Sequence, residues 1–258
     1  MGKLKLSELA ETLIASEIVR LGANIKEKIR SGEHIYNYTI GDFDSAEFPI
    51  PELLQEEIIN AYKGGKTTYP AAEGELELRK AVSGFVEKYQ SVHYSPLEIL
   101  ISAGGRPLIY SLYKTIVDKA DKVIYPVPSW NNNHYIDFTH GQHVMIECTR
   151  ENNFMPTAAQ IAPHVKGATL LALCSPLNPT GTTFNQQELE AICDLVIAEN
   201  EQRKEGEKKL YLMFDQIYWT LTFGETKHYN PVALRPKMKE YTIFIDGISK
   251  AFAATGVR

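Results

Sequence analysis

Short apolar runs alternate with amphipathic stretches along most of the chain. Continuous apolar segments lie at 99–102, 122–126, 143–147, 169–174, 210–215 and 242–246, several of them flanked by Gly, Pro or Asp. Runs of this length without polar alternation are the pattern of strands buried on both faces. Helical spacing appears around and between them. Over 6–31, Leu9, Leu13, Ile18 and Leu21 recur on one face. Further helices are predicted over 51–63, with Pro51 just inside the start, over 76–89, and over 186–200. Strands alternating with helices predict an α/β fold with a mainly parallel sheet flanked by helices.

The composition agrees with that class and narrows the function. At 258 residues, 44% hydrophobic and 23% charged, the chain is long enough to bury a sizeable core. Its formal net charge is −5 and its Lys and Arg are dispersed, so no basic footprint for nucleic acid is present. Cys148, Cys174 and Cys193 are odd in number and far apart in apolar contexts, which favours reduced thiols and a cytoplasmic protein. The seven histidines show no metal-ligand spacing. No basic start followed by an apolar core opens the chain, and no run reaches membrane-spanning length, so no membrane partner is expected. Turn residues between Gly41 and Pro51 mark a boundary between a segment of residues 1–45 and a larger unit of residues 46–258.

Candidate chemistry gathers at the ends of the apolar runs. Lys250 follows the last of them, in Asp246-Gly247-Ile248-Ser249-Lys250, and Arg258 lies eight positions on. A lysine amine condenses with an aldehyde, and an arginine nearby supplies fixed charge for a phosphate on the same molecule, a pairing that describes a pyridoxal phosphate site. Asp215 ends the run Leu210-Tyr211-Leu212-Met213-Phe214, with Tyr218 three residues further. A carboxylate at a buried strand end needs a partner, and a protonated pyridine nitrogen is one. Asn178 opens Asn178-Pro179-Thr180-Gly181 after the 169–174 run, and the indole of Trp130, in Pro128-Ser129-Trp130, can stack on an aromatic ring. Gly104 and Gly105 form a turn before Arg106 and Pro107, where backbone N–H groups and a helix N-terminus suit a phosphate. Gly104, Asn178, Asp215 and Lys250 all follow the carboxyl ends of predicted strands, the edge on which open α/β sheets bind ligands.

In this order and spacing the motifs resemble the class I/II aminotransferases of PLP fold type I, from about Gly41 to Arg258. The resemblance implies that Lys250 forms an aldimine with pyridoxal 5'-phosphate and moves the substrate α-proton. It implies that Asp215 pairs with the pyridine nitrogen, that Asn178 and Tyr218 hold the ring oxygen, and that Trp130 stacks on the ring. Gly104, Gly105, Arg106, Ser249 and Arg258 are implied at the phosphate. Tyr69, in Thr67-Thr68-Tyr69-Pro70, is implied to reach a neighbouring subunit's phosphate, hence a homodimer with its site at the interface. Gly41, with Trp130 and Asn178, is implied on the substrate side. The activity implied is ping-pong transfer of an amino group from an amino acid to a 2-oxo acid. The same Lys250 and Asp215 would serve a β-lyase or decarboxylase equally well.

Two departures accompany the resemblance. The family usually carries Ser or Thr three residues before the lysine, where this chain has Gly247, with Ser249 beside the lysine instead. The family also continues well past the phosphate-binding arginine, so the chain reads as an N-terminal portion: a large domain incomplete at its C-terminus, residues 1–45 belonging to a small domain otherwise absent. The arginine that grips the substrate carboxylate then has no counterpart here, and an inactive N-terminal fragment is the further alternative.

Overall fold

The computed structural model describes residues 5–13, 17–39, 41–130 and 132–257. The chain opens with helices α1 (Glu8–Thr12) and α2 (Glu17–Arg30), then α3 (Glu52–Lys63), α4 (Leu76–Gln90) and α5 (Gly105–Ile116). From there strands and helices alternate: β1 (Lys122–Val127), α6 (Asn132–Thr139), β2 (Gln142–Glu147), α7 (Ala158–Ile161), β3 (Ala168–Cys174) and α8 (Gln186–Gln202). β4 (Tyr211–Asp215), α9 (Pro231–Leu234), β5 (Thr242–Ile245) and a short α10 (Ile248–Ala251) complete the order.

The five strands form one sheet in the order β2-β1-β3-β4-β5, and every pairing is parallel. Parallel strands need crossovers, and the helices between them cover both faces, so the strands bury side chains on each side. The alternation is visible residue by residue. Ile124, Leu171, Leu173, Leu212 and Phe214 point to one core with Leu189, Ile192 and Val196 of α8. Val123, Tyr125, Leu170, Ala172 and Met213 point to the other with Leu112 and Tyr113 of α5 and Ile136 of α6. The chain reverses direction across the sheet between β1 and β3, and all five carboxyl ends lie on one edge.

Two expectations need correction. The run at 99–102 is not a strand: it is extended, but the Ile101 amide donates to the Glu73 carbonyl at 3.0 Å and the run pairs with no strand. The helix expected over 6–31 is not continuous, because Leu13 leaves α1 in extended conformation. The other expected helices and strands match to within two residues at each end. Among the described residues no helix is long and apolar enough to cross a membrane.

Candidate active site

The site forms where β3, β4 and β5 end. Cys174 and Asp215 are register partners, and the Ser175 amide extends the ladder to the Asp215 carbonyl at 3.0 Å. The chain then turns tightly, with the Gly181 amide on the Leu177 carbonyl at 2.7 Å and the Leu177 amide on the Thr182 carbonyl at 2.8 Å. Gly181 takes a φ of +72°, which favours glycine. This turn presents Asn178. On the neighbouring strand end, the turns Gln216 to Trp219 and Tyr218 to Leu221 present Tyr218. Asn178 Nδ2 donates to the Tyr218 hydroxyl at 3.2 Å.

Asp215 lies between these groups and the next strand, paired in register with Ile245 of β5. Its Oδ1 accepts from the Ile217 amide at 3.1 Å. No cation pairs with it among the described residues. Burial lifts its pKa to about 6, the Ile217 amide offsetting part of the rise and the charge of Asp246 adding to it. Burial also raises Tyr218 and Cys174, so neither ionises near neutral pH in this pocket.

Lys250 is carried by α10, directly after β5. Its Nζ lies 6.0 Å from the centroid of the Tyr218 ring and donates to the Gly41 carbonyl at 3.0 Å. A second contact joins the same two segments: Thr255 Oγ1 to the Asp42 carboxylate at 2.9 and 3.2 Å. The 41–42 loop therefore meets the lysine segment from more than two hundred residues away in sequence.

The start of α5 lies beside the end of β5, since a Cβ on Gly105 would stand 3.6 Å from Ile245 Cγ2. Gly104 precedes the helix with φ +104° and ψ 166°, a conformation L side chains rarely adopt, and no side chain caps the first turn. Those first N–H groups are anion donors at the positive end of the helix dipole. Arg106 is exposed on that turn; with Tyr110, His134, Tyr135 and Phe138 it lines a shallow hollow.

The structure thus joins Asn178, Tyr218, Lys250 and Gly41 by direct contacts, with Asp215 on the adjoining strand end and Gly104 and Gly105 at the α5 start. Ser249 is half-buried next to Lys250, and its side chain makes no hydrogen bond among the described residues. Trp130 is 39% exposed after β1, without a ring contact or hydrogen bond among the described residues, and Tyr69 is fully exposed. Arg258 lies outside the described residues. Sequence reasoning gave no role to Asp246, Gln216 or Trp219, which hydrogen-bond to one another at the base of the site. The signal was present: Asp246 is a second carboxylate at a buried strand end, the same cue that singled out Asp215.

Comparison with known proteins bears on the family and the fold. Residues 33–258 match the family described as aminotransferase class I and II. An aspartate aminotransferase of Bacillus subtilis is 27% identical over 257 residues, covering 99% of this chain and 62% of the relative. A probable aspartate/prephenate aminotransferase of Rickettsia felis is 34% identical over 214 residues, covering 82% of this chain and 50% of the relative. The solved aspartate aminotransferase of Thermus thermophilus with maleate superposes with a TM-score of 0.88 at 28% identity, over 98% of this chain and 63% of that one. The chain therefore spans about three fifths or less of the length of these relatives. On sequence and on fold, the chain belongs to the class I and II aminotransferase family.

Proposed function

We propose that this chain carries the cofactor-binding face of a pyridoxal 5'-phosphate-dependent aminotransferase, which moves an amino group from an amino acid to a 2-oxo acid. The observation that carries the reading is Asp215. It is a largely enclosed carboxylate, lifted to about 6, with no cation paired to it among the described residues, one strand away from a lysine at the same sheet edge. A ligand that brings a cationic ring nitrogen and an aldehyde satisfies both groups at once.

The remaining donors fit the same molecule. Asn178 Nδ2 and the Tyr218 hydroxyl are neighbouring donors suited to an anionic ring oxygen. The first turn of α5, with Gly104 and Gly105, suits a phosphate, and Arg106, Ser249 and Arg258 are its further contacts in this reading. When bound, pyridoxal phosphate supplies a ring that withdraws electrons from the substrate α-carbon. The protein's part is positional and protonic. Asp215, ionised opposite a pyridinium, keeps that nitrogen protonated. Lys250 Nζ would take the α-proton from the substrate and pass it on, and Tyr218 and Asn178 would hold the ring oxygen. The two half-reactions alternate at one site, which gives ping-pong kinetics.

Tyr69, fully exposed in the isolated chain, is assigned to a homodimer in which it reaches the neighbouring subunit's phosphate, and Trp130 is assigned to the face of the cofactor ring. Residues 46–258 form the cofactor-binding domain, and residues 1–45 belong with a smaller second domain.

Aspartate is the first donor to test, because the relatives from Bacillus subtilis and Thermus thermophilus are named for it. The protein is supplied with ¹⁵N-aspartate, pyridoxal phosphate and a 2-oxo acid. The reading predicts ¹⁵N in a new amino acid derived from the 2-oxo acid. Release of ammonia or carbon dioxide without a new amino acid would assign a lyase or decarboxylase instead.

A further inference from the structure

The last two strands stay in register as far as Asp215 and Ile245, and the Gln216 amide still reaches the Ile245 carbonyl at 2.9 Å. Beyond that point their backbones part. One enters the turn that presents Tyr218, the other the turn that presents Lys250. Asp246 bridges the parting with both oxygens. Its Oδ2 accepts from Gln216 Nε2 at 3.0 Å and from Trp219 Nε1 at 2.9 Å, while its Oδ1 accepts from the Gly247 amide at 2.7 Å. The two turns also pack directly, since a Cβ on Gly247 would lie 3.4 Å from Ile217 Cδ1.

Gln216 is held just as firmly from behind. It is buried, and its Nε2 also donates to Gln90 Oε1 at 3.0 Å. Its Oε1 faces His228 Nε2 at 3.3 Å and Asn230 Nδ2 at 3.4 Å. Burial pushes His228 down to about 4, so the ring is neutral; its Nδ1 is buried without a hydrogen-bond partner among the described residues, which favours the proton on Nε2, the nitrogen facing that oxygen. A flipped Gln216 amide would set its NH₂ against two donors. Its donor side is therefore committed to Asp246. Trp219 is packed between Phe85 and His228, at ring-centroid distances of 5.8 and 6.0 Å.

We propose that Asp246 is a positioning residue: through Gln216 and Trp219 it locks the turn bearing Lys250 to the turn that bears Tyr218 directly after Asp215, so that both sides meet a bound cofactor in one fixed arrangement. The inference rests on the cofactor reading given above. It assigns Asp246 no contact with the cofactor or substrate. Its effect passes through Gly247 to Lys250 on one side, and through Gln216 to Asp215 and Tyr218 on the other.

The test measures the initial rate at which Lys250 acquires a borohydride-stable pyridoxyl group at subsaturating pyridoxal phosphate. It also measures the induced circular dichroism of the bound cofactor's visible band, which reports a fixed orientation. A residue that only supports the fold would lower the urea midpoint and leave the dichroism per bound cofactor unchanged. In Asp246→Ala the labelling rate should fall about tenfold and the dichroism should drop with it, as expected when reacting groups lose alignment. Asp246→Asn, which keeps an acceptor oxygen, should recover to within about threefold of the native rate. Should Asp246→Ala fail to fold, Trp219→Phe removes only one of the three donors and should still slow labelling about threefold. Native labelling of Lys250 together with native rates and dichroism in Asp246→Ala, or in Trp219→Phe where the alanine variant does not fold, would overturn this inference and leave the cofactor reading standing. No labelling of the native chain would overturn both.

Discussion

The amide of Asn178 reaches the hydroxyl of Tyr218 across forty residues of sequence and 3.2 Å of space. Each belongs to a turn at the end of a different strand, and the β3–β4 pairing that joins Cys174 to Asp215 fixes their separation. On the proposed reading Tyr218→Phe removes one of two donors for a ring oxygen, and it leaves Asn178 without this partner. Lost hydrogen bonds to a charged acceptor cost about 1.5–3 kcal/mol, so affinity for pyridoxal phosphate should fall roughly tenfold or more. A spectroscopic titration with the cofactor reads this directly, and unchanged affinity would remove Tyr218 from the ring contacts.

Asp215 should trade stability for binding. Its folded pKa, about 6, lies above the ordinary 3.8, so the native state holds the proton more tightly than the unfolded chain. The stability this brings is present below about pH 4 and is lost as pH rises through about 6. Above pH 6 the cofactor-free protein carries there a largely enclosed carboxylate without a cation partner among the described residues. Asp215→Asn should therefore raise the urea-unfolding stability of the cofactor-free chain at pH 8 by on the order of 2 kcal/mol, while weakening cofactor binding. A variant that is less stable at pH 8, or that binds as tightly as native, would contradict the role.

His228 works in the opposite sense. Its folded pKa of about 4 lies below the ordinary 6.5, so the stability it brings is present above about pH 6.5 and is lost as pH falls through about 4. Glutamine at this position keeps a donor toward Gln216 but cannot charge. The stability difference between native and His228→Gln should shift against the native protein by about 2–3 kcal/mol on going from pH 7 to pH 4. A pH-independent difference would mean that the ring is hydrated and titrates normally.

Gly74 sets the approach to the α5 turn. It has φ +97°, and a Cβ there would stand 2.5 Å from Ile101 Cβ and 2.7 Å from its Cγ1. Neither atom is the far end of a flexible chain. Gly74→Ala combines left-handed backbone with overpacking and should cost on the order of 3 kcal/mol. Because Ile101 leads into Ser102 and Gly104, it should also weaken cofactor binding. Near-native urea stability would show that the loop yields freely.

Much of this was legible in the sequence, for identifiable reasons. The runs that became β1, β3 and β4 are apolar on both faces because parallel strands under two helical layers have no solvent side, and that pattern survives without coordinates. The run at 99–102 carries the same signal without being a strand, because apolar content reports burial whereas a strand is defined by its neighbour. Here the neighbour of Ile101 is the Glu73 carbonyl. Asp215 and Lys250 were legible through the chemistry of a strand-end carboxylate and an amine. Asp246 carried the same cue, yet Gln216 and Trp219 as its partners depend on how two turns diverge after β4 and β5, which no periodicity encodes. The approach of Gly41 to Lys250 leaves no trace in periodicity or spacing, since it joins a loop and a helix 209 residues apart, and only the family resemblance set both at one site.

In the proposed function Lys250 is the group that engages an aldehyde cofactor at this sheet edge. The most direct measurement incubates the chain with pyridoxal phosphate, reduces with borohydride, digests, and maps the pyridoxyl mass by mass spectrometry. One dominant label is expected, on Lys250, which disappears in Lys250→Ala while the other lysines stay at background. A folded chain labelled only at scattered surface lysines, or labelled as strongly after Lys250→Ala, would contradict it.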